Sequence, residues 1–200
     1  MRTIIYILAL MPLLYMSFRY SLGLGWHFPE IIQKFLNHYL YLHIGGHPAN
    51  LVKFLQDATA KTALNLFIIT LAIKPLHSYL KFDLLKYRRL IGLFGFFYLF
   101  LHVSVFVWLK HHLDLSSAYH AMMEHTFILF GFAAFLIFGM MAVTSIPFLF
   151  KRFASWHKLF YPAMVLVIVH FLLAQKHISL TDIAYVAVIA SLLALKLLKR

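Results

Sequence analysis

The chain has 200 residues, 63% of them hydrophobic and 12% charged, and a formal net charge of +12; soluble domains carry roughly 25% charged residues, so no soluble fold of this size hides so much apolar surface. Cysteine is absent, which excludes a disulfide framework, thiolate-held iron–sulfur clusters and thiol redox pairs. The basic residues sit beside apolar runs rather than along one amphipathic face, so they point to a lipid bilayer as partner and to no nucleic acid.

Taken in chain order, the apolar runs approach the ~20 residues needed to cross a bilayer and predict six spans. The first, Thr3 to Phe18 (3–18), is the shortest. Arg2 before an apolar stretch resembles a signal peptide, but no small-x-small cleavage site follows, and a retained span is expected. A long connection, 19–58, comes next. Within it Pro29 suits a first helical turn, and Ile31, Ile32, Phe35, Leu36, Tyr39 and Leu42 recur at helical spacing, predicting a helix that lies in the membrane interface. Gly45, Gly46, His47 and Pro48 mark a turn, and Leu51 to Gln56 reads as a second short amphipathic piece.

The remaining spans are Thr59 to Leu76 (59–76), Leu90 to Leu109 (90–109), His125 to Pro147 (125–147), Trp156 to Gln175 (156–175) and Asp182 to Leu198 (182–198). The expected fold class is therefore an all-α membrane protein, a six-helix transmembrane bundle forming one domain over 1–200. With the N-terminus inside, 12 of the 18 Lys and Arg residues fall on the cytoplasmic side. The excess of cytoplasmic base then places both termini in the cytoplasm and the long connection outside.

An ionisable side chain within a span is costly and marks a functional site by default. All six acidic residues, Glu30, Asp57, Asp83, Asp114, Glu124 and Asp182, lie outside the spans or at their ends. That argues against a proton-coupled transporter, which needs a carboxylate at mid-membrane. Most of the thirteen histidines, among them His27, His38, His43, His47, His111, His112, His120 and His177, fall in connections where solvated surface is the default reading.

Two histidines do not. His102 lies inside the third span, thirteen residues beyond Arg89, and His170 inside the fifth, thirteen beyond His157. Both spans run outward, so at a rise of 1.5 Å per residue both histidines lie roughly 20 Å from the inner helix ends. A single span histidine is as often a packed residue bonded to a neighbouring carbonyl; a pair at one depth also supplies both axial ligands of a haem iron, giving an electron-transferring centre. Phe94, Phe96, Phe97, Tyr98, Phe100 and Phe106 offer flat apolar surroundings, and Gly92 and Gly95 leave room for close approach.

His157 offers a second site at the cytoplasmic end. Thirteen steps of ~100° leave it about 140° from His170 on an ideal helix, so both face inward only if the helix deforms, and Pro162 is a ready cause. Arg89 occupies the depth at which a partner for His157 is needed. Arg88 and Arg89 suit haem propionates or a flavin phosphate, or serve as positive-inside anchors; His77 is an unmatched further ligand candidate.

At these residues the sequence resembles the MsrQ family, haem-binding membrane subunits of a periplasmic methionine sulfoxide reductase system within the ferric-reductase-like transmembrane superfamily. The resemblance runs from Gly46 to about Gln175. It rests on Thr62-Ala63-Leu64, Lys74-Pro75-Leu76, Arg88-Arg89-Leu90-Ile91-Gly92-Leu93 leading to Leu101-His102, Thr144-Ser145, and Trp156-His157-Lys158-Leu159-Phe160-Tyr161 leading to His170. It implies haem b, one or two, held by His102, His157 and His170, in a multi-pass protein of the bacterial inner membrane. Electrons would pass from membrane quinone or a cytoplasmic flavin reductase to a periplasmic molybdopterin reductase subunit that repairs oxidised proteins.

FMN is implied by the resemblance alone, since the chain has no phosphate-cradling G-x-G-x-x-G motif. The chain departs from the family's pattern at Ala60-Lys61, where Gly-Arg is expected, and at Glu124-His125-Thr126-Phe127, where an Arg-Pro-Tyr type sequence is expected. Two other readings share the composition: a quinol-linked cytochrome b anchor of another oxidoreductase, and a cofactor-free transporter or scaffold.

Overall fold

The computed structural model describes residues 2–23, 51–81, 83–175 and 177–198. The interfacial helix expected around Pro29 and the turn at Gly45 to Pro48 lie outside the described residues, as do His27, His38, His43 and His47. Every regular element among the described residues is helical: α1 (Arg2–Gly23), α2 (Leu51–Leu80), α3 (Arg88–Ser104), α4 (Leu115–Glu124), α5 (Thr126–Val143), α6 (Pro147–Phe153), α7 (Phe160–Ala174) and α8 (Leu180–Leu198).

Among the described residues four helical runs are long and apolar enough to cross a membrane: Leu51–Leu80, Leu85–Lys110, Thr126–Val143 and Pro147–Ala174. They coincide with the second to fifth predicted spans, with altered ends. α2 absorbs the separate piece expected at Leu51 to Gln56 and continues as one helix through Pro75. The hydroxyls of Thr59, Thr62 and Thr70 donate to the carbonyls of Leu55, Ala58 and Leu66 at 2.7–2.8 Å, which satisfies polar groups within the helix's own backbone.

The third run begins with a 3-10 turn at Leu85–Tyr87 and ends in a π-helical stretch at Val105–Lys110, immediately after His102. His112 and Leu113 then take positive φ of 51° and 64° and stop the helix. Asp114 opens α4 by accepting from the backbone N–H of Ser116 and Ser117, an N-cap that satisfies the first free donors of the helix. α4 was not anticipated. α5 ends at Val143, and Pro147 restarts the chain as the first residue of α6, a position where its missing N–H costs nothing.

Two antiparallel pairs, α2 with α3 and α5 with α7, form the bulk of the packing, and α1 and α8 lie against them. Phe67 from α2 stacks on Phe138 from α5 at 4.2 Å, and Phe160 at the start of α7 meets both edge-on. Gly95 makes this possible: a Cβ there would sit 2.8 Å from the Phe67 ring. The apolar exterior, with Phe100, Leu136 and Leu173 each more than half exposed, is the surface that lipid covers.

Tyr98 fastens α1 to α3. Its side chain is fully buried, and its hydroxyl donates to the carbonyl of Ala9 at 2.6 Å while accepting from the N–H of Leu13 at 3.1 Å. It therefore stands in a rung of the α1 hydrogen-bond ladder, beside Pro12. α8 opens on a reciprocal cap: Asp182 accepts from the backbone N–H and hydroxyl of Ser179, and that hydroxyl accepts from the N–H of Asp182.

Candidate functional site

The two span histidines meet. The rings of His102 on α3 and His170 on α7 lie 6.4 Å apart between centroids, with planes at 81°. A metal about 2.0–2.1 Å from each of two opposed imidazole nitrogens sets ring centres roughly 6–6.5 Å apart, so the spacing suits a shared axial pair.

Hydrogen bonding fixes which nitrogen each ring offers. His102 Nδ1 lies 3.0 Å from the carbonyl oxygen of Gln56, and His170 Nδ1 lies 2.6 Å from that of Phe127. A carbonyl oxygen only accepts, so both Nδ1 atoms carry the proton and both Nε2 atoms present a lone pair. A backbone carbonyl behind a ligating imidazole orients the ring and raises its basicity. α5 also shapes the seat of His170: a Cβ on Gly131 would fall 2.6 Å from His170 Nδ1, so only glycine leaves the ring in place.

Sequence reasoning found the histidines and missed their supports. Gln56 stood in what read as the outer connection, and Gly131 looked like one small residue in an apolar run. The signal available for Gly131 was its place one turn after Phe127, between the large side chains of Phe130 and Phe132.

A second level lies toward the other end of α3 and α7. Arg88, Arg89, Gly92, Thr70, Ser145, His157 and the rings of Phe67, Phe96, Phe138 and Phe150 line a cavity of about 160 Å³. Arg89 and His157, read as lying at one depth, thus line one cavity together with Arg88. Two guanidinium groups among flat apolar rings suit an anionic aromatic ligand.

His157 reaches this level by a route the spacing did not show. Residues Ala154–Leu159 form a 3-10 stretch before α7 begins. Three steps of ~120° followed by ten of ~100° bring His157 to about 80° from His170 instead of about 140°. Pro162 is not a mid-helix kink; it falls in the first turn of α7, where no intrahelical N–H is lost. His157 Nε2 lies 3.4 Å from the Thr144 hydroxyl oxygen, whose own proton points to the carbonyl of Met140 at 2.9 Å. Thr144 is then the acceptor, and the free position on His157 is Nδ1.

His77 falls in the last turn of α2 and does not line the cavity. His111, expected on a solvated surface, is half-buried: its Nδ1 meets the Ser117 hydroxyl at 2.9 Å and its ring lies 4.6 Å from Phe106. Among the described residues no group of three or more His, Cys, Asp or Glu side chains gathers to hold a bare ion. A pair of imidazoles instead suits a metal whose other ligands come with a macrocycle.

The model of ferric reductase like transmembrane components matches residues 58–174, the stretch that carries both levels. A protein-methionine-sulfoxide reductase heme-binding subunit MsrQ of Agrobacterium fabrum is 31% identical over 166 residues, covering 80% of this chain and 77% of its own. Its namesake from Herminiimonas arsenicoxydans is 33% identical, over 74% of this chain and 72% of its own, and that of Brucella ovis 32%, over 77% and 70%. No solved structure gives a significant match. With more than half its length matched by the family model and relatives of this identity and coverage, the chain belongs to the MsrQ family of ferric-reductase-like transmembrane proteins.

Proposed function

We propose that this chain is the haem-carrying membrane subunit through which electrons reach a methionine sulfoxide reductase on the outer face of a bacterial inner membrane. The observation that carries the reading is the His102–His170 pair, 6.4 Å apart, with both Nδ1 protons bound to backbone carbonyls. Bound there, haem b supplies a one-electron iron couple within the apolar bundle. The chain's own part is to hold two Nε2 lone pairs in fixed orientation, to keep water away with the flanking rings, and to set the pair at one depth.

The inner level is assigned to a second anionic, flat group, a second haem or FMN, with Arg88 and Arg89 binding its acidic substituents and His157 offering Nδ1. Six spans, with α1 and α8 added to the four long runs and both termini in the cytoplasm, put Arg88, Arg89 and His157 on the donor side. The donor is membrane quinol or a reduced flavin from a separate reductase. The acceptor is a periplasmic molybdopterin catalytic subunit docking on the outer face, nearer His102 and His170.

The test is a visible spectrum of the detergent-purified chain before and after dithionite, with haem counted as pyridine haemochrome. The expected result is the sharp reduced bands of a six-coordinate b-type centre. Colourless protein from haem-replete cells sinks the proposal.

A further inference from the structure

We propose that Gln56 is a positioning residue for His102 whose side-chain amide holds the ligating nitrogen in the haem-free protein and gives it up on haem uptake. The inference rests on the haem reading of the outer pair and deepens it.

Gln56 touches the His102 ring twice. Its carbonyl oxygen accepts from Nδ1 at 3.0 Å, and its amide nitrogen lies 3.3 Å from Nε2. The first contact forces the proton onto Nδ1, so Nε2 has only a lone pair to offer, and the amide N–H is its donor. Turning the amide over would set oxygen against that lone pair, so the first bond fixes the orientation of the side chain as well.

The arrangement leaves a residue of cost. Gln56 Oε1 is buried with no hydrogen-bond partner, and an unmet buried acceptor is unfavourable. The amide therefore meets one need, the bare nitrogen of an imidazole in apolar surroundings, by leaving another unmet. A metal that takes the Nε2 lone pair removes the reason for this placement and frees the side chain to turn its oxygen elsewhere. His170 is built differently: Phe127 holds its Nδ1 through the main chain and has no side-chain donor with which to compete for Nε2. The two ligands are thus unequal, one guarded by an amide and one anchored without it.

Substitution separates the two contacts, because the carbonyl of residue 56 survives any side-chain change. Gln56→Leu removes the donor; Gln56→Met removes it while keeping the reach of the side chain, which guards against a packing defect. The purified full-length protein, made without haem supply and labelled with 15N-histidine, is examined first by the His102 Nε2 resonance. It is then titrated with haem beside wild type and His102→Ala.

In both variants the resonance moves toward that of an unbonded imidazole nitrogen, and haem binds about threefold to tenfold more tightly, the range set by one net hydrogen bond. A resonance that stays in place, or binding no tighter than wild type in both variants while His102→Ala loses it, overturns the role of Gln56. Wild type that takes up no haem, or takes it up equally well as His102→Ala, overturns instead the haem reading on which the inference stands.

Discussion

The two levels of the bundle, the His102–His170 pair proposed as the outer and the cavity at Arg88, Arg89 and His157 proposed as the inner, are built from the same residue type by opposite means. At the outer level two histidines from two spans are held by main-chain carbonyls of two further helices, Gln56 on α2 and Phe127 on α5. At the inner level one histidine, in a 3-10 stretch, leans on the hydroxyl of Thr144 beside two arginines and a cavity. A carbonyl can only accept, so the outer tautomers are fixed. The Thr144 hydroxyl, its proton given to the Met140 carbonyl, also accepts, but at 3.4 Å it holds His157 more loosely and leaves Nδ1 free. Rigid ligation belongs to the first construction and adjustable contact to the second.

The comparison breaks most severely at the ligands. His102→Ala and His170→Ala each remove the same haem, by more than the ~10–100-fold affinity loss typical of an outer-shell change, read by haemochrome assay. His157→Ala leaves that haem largely in place; loss of all haem from this one change would collapse the two levels into one. Next comes Gly131→Ala, whose Cβ would press on His170 Nδ1 at 2.6 Å; haem affinity should fall about 10–100-fold although neither histidine is substituted.

The charge-neutralising pair Arg88→Gln with Arg89→Gln should weaken binding of an anionic group at the inner level by about tenfold or more, with the outer haem spectrum unchanged. Titration with FMN and haem reads both. The smallest effect is expected for Thr144→Val, about 0.5–1.5 kcal/mol, seen as a shift in the His157 ring nitrogen resonances and none in those of His170.

Depth was legible in the sequence because rise along a helix accumulates steadily: thirteen residues from Arg89 and thirteen from His157 put His102 and His170 level, and the rings do meet. Angle was not, because it depends on the local winding. The 3-10 stretch at Ala154–Leu159 undoes arithmetic that assumes ~100° throughout. Lys53 and Asp57 lay in what read as the connection before the span at Thr59, yet the helix runs through them from Leu51. The roles of Gln56 and Gly131 were invisible for a different reason: each is defined by a partner 46 or 39 positions away, and no local pattern encodes that proximity.

The hydroxyl of Tyr98 engages α1 only through the main-chain atoms of Ala9 and Leu13. Such a clasp does not read side chains, so what restricts positions 9 and 13 is packing, with Ala9 buried and Leu13 against the core, and not this bond, provided the chain stays helical and position 13 keeps its N–H. The hydrogen-bonded part of the docking is thereby specified from α3, while Leu13 and Met16 supply its packing, leaving the outward face of α1 open to change under whatever lipid or neighbour it meets.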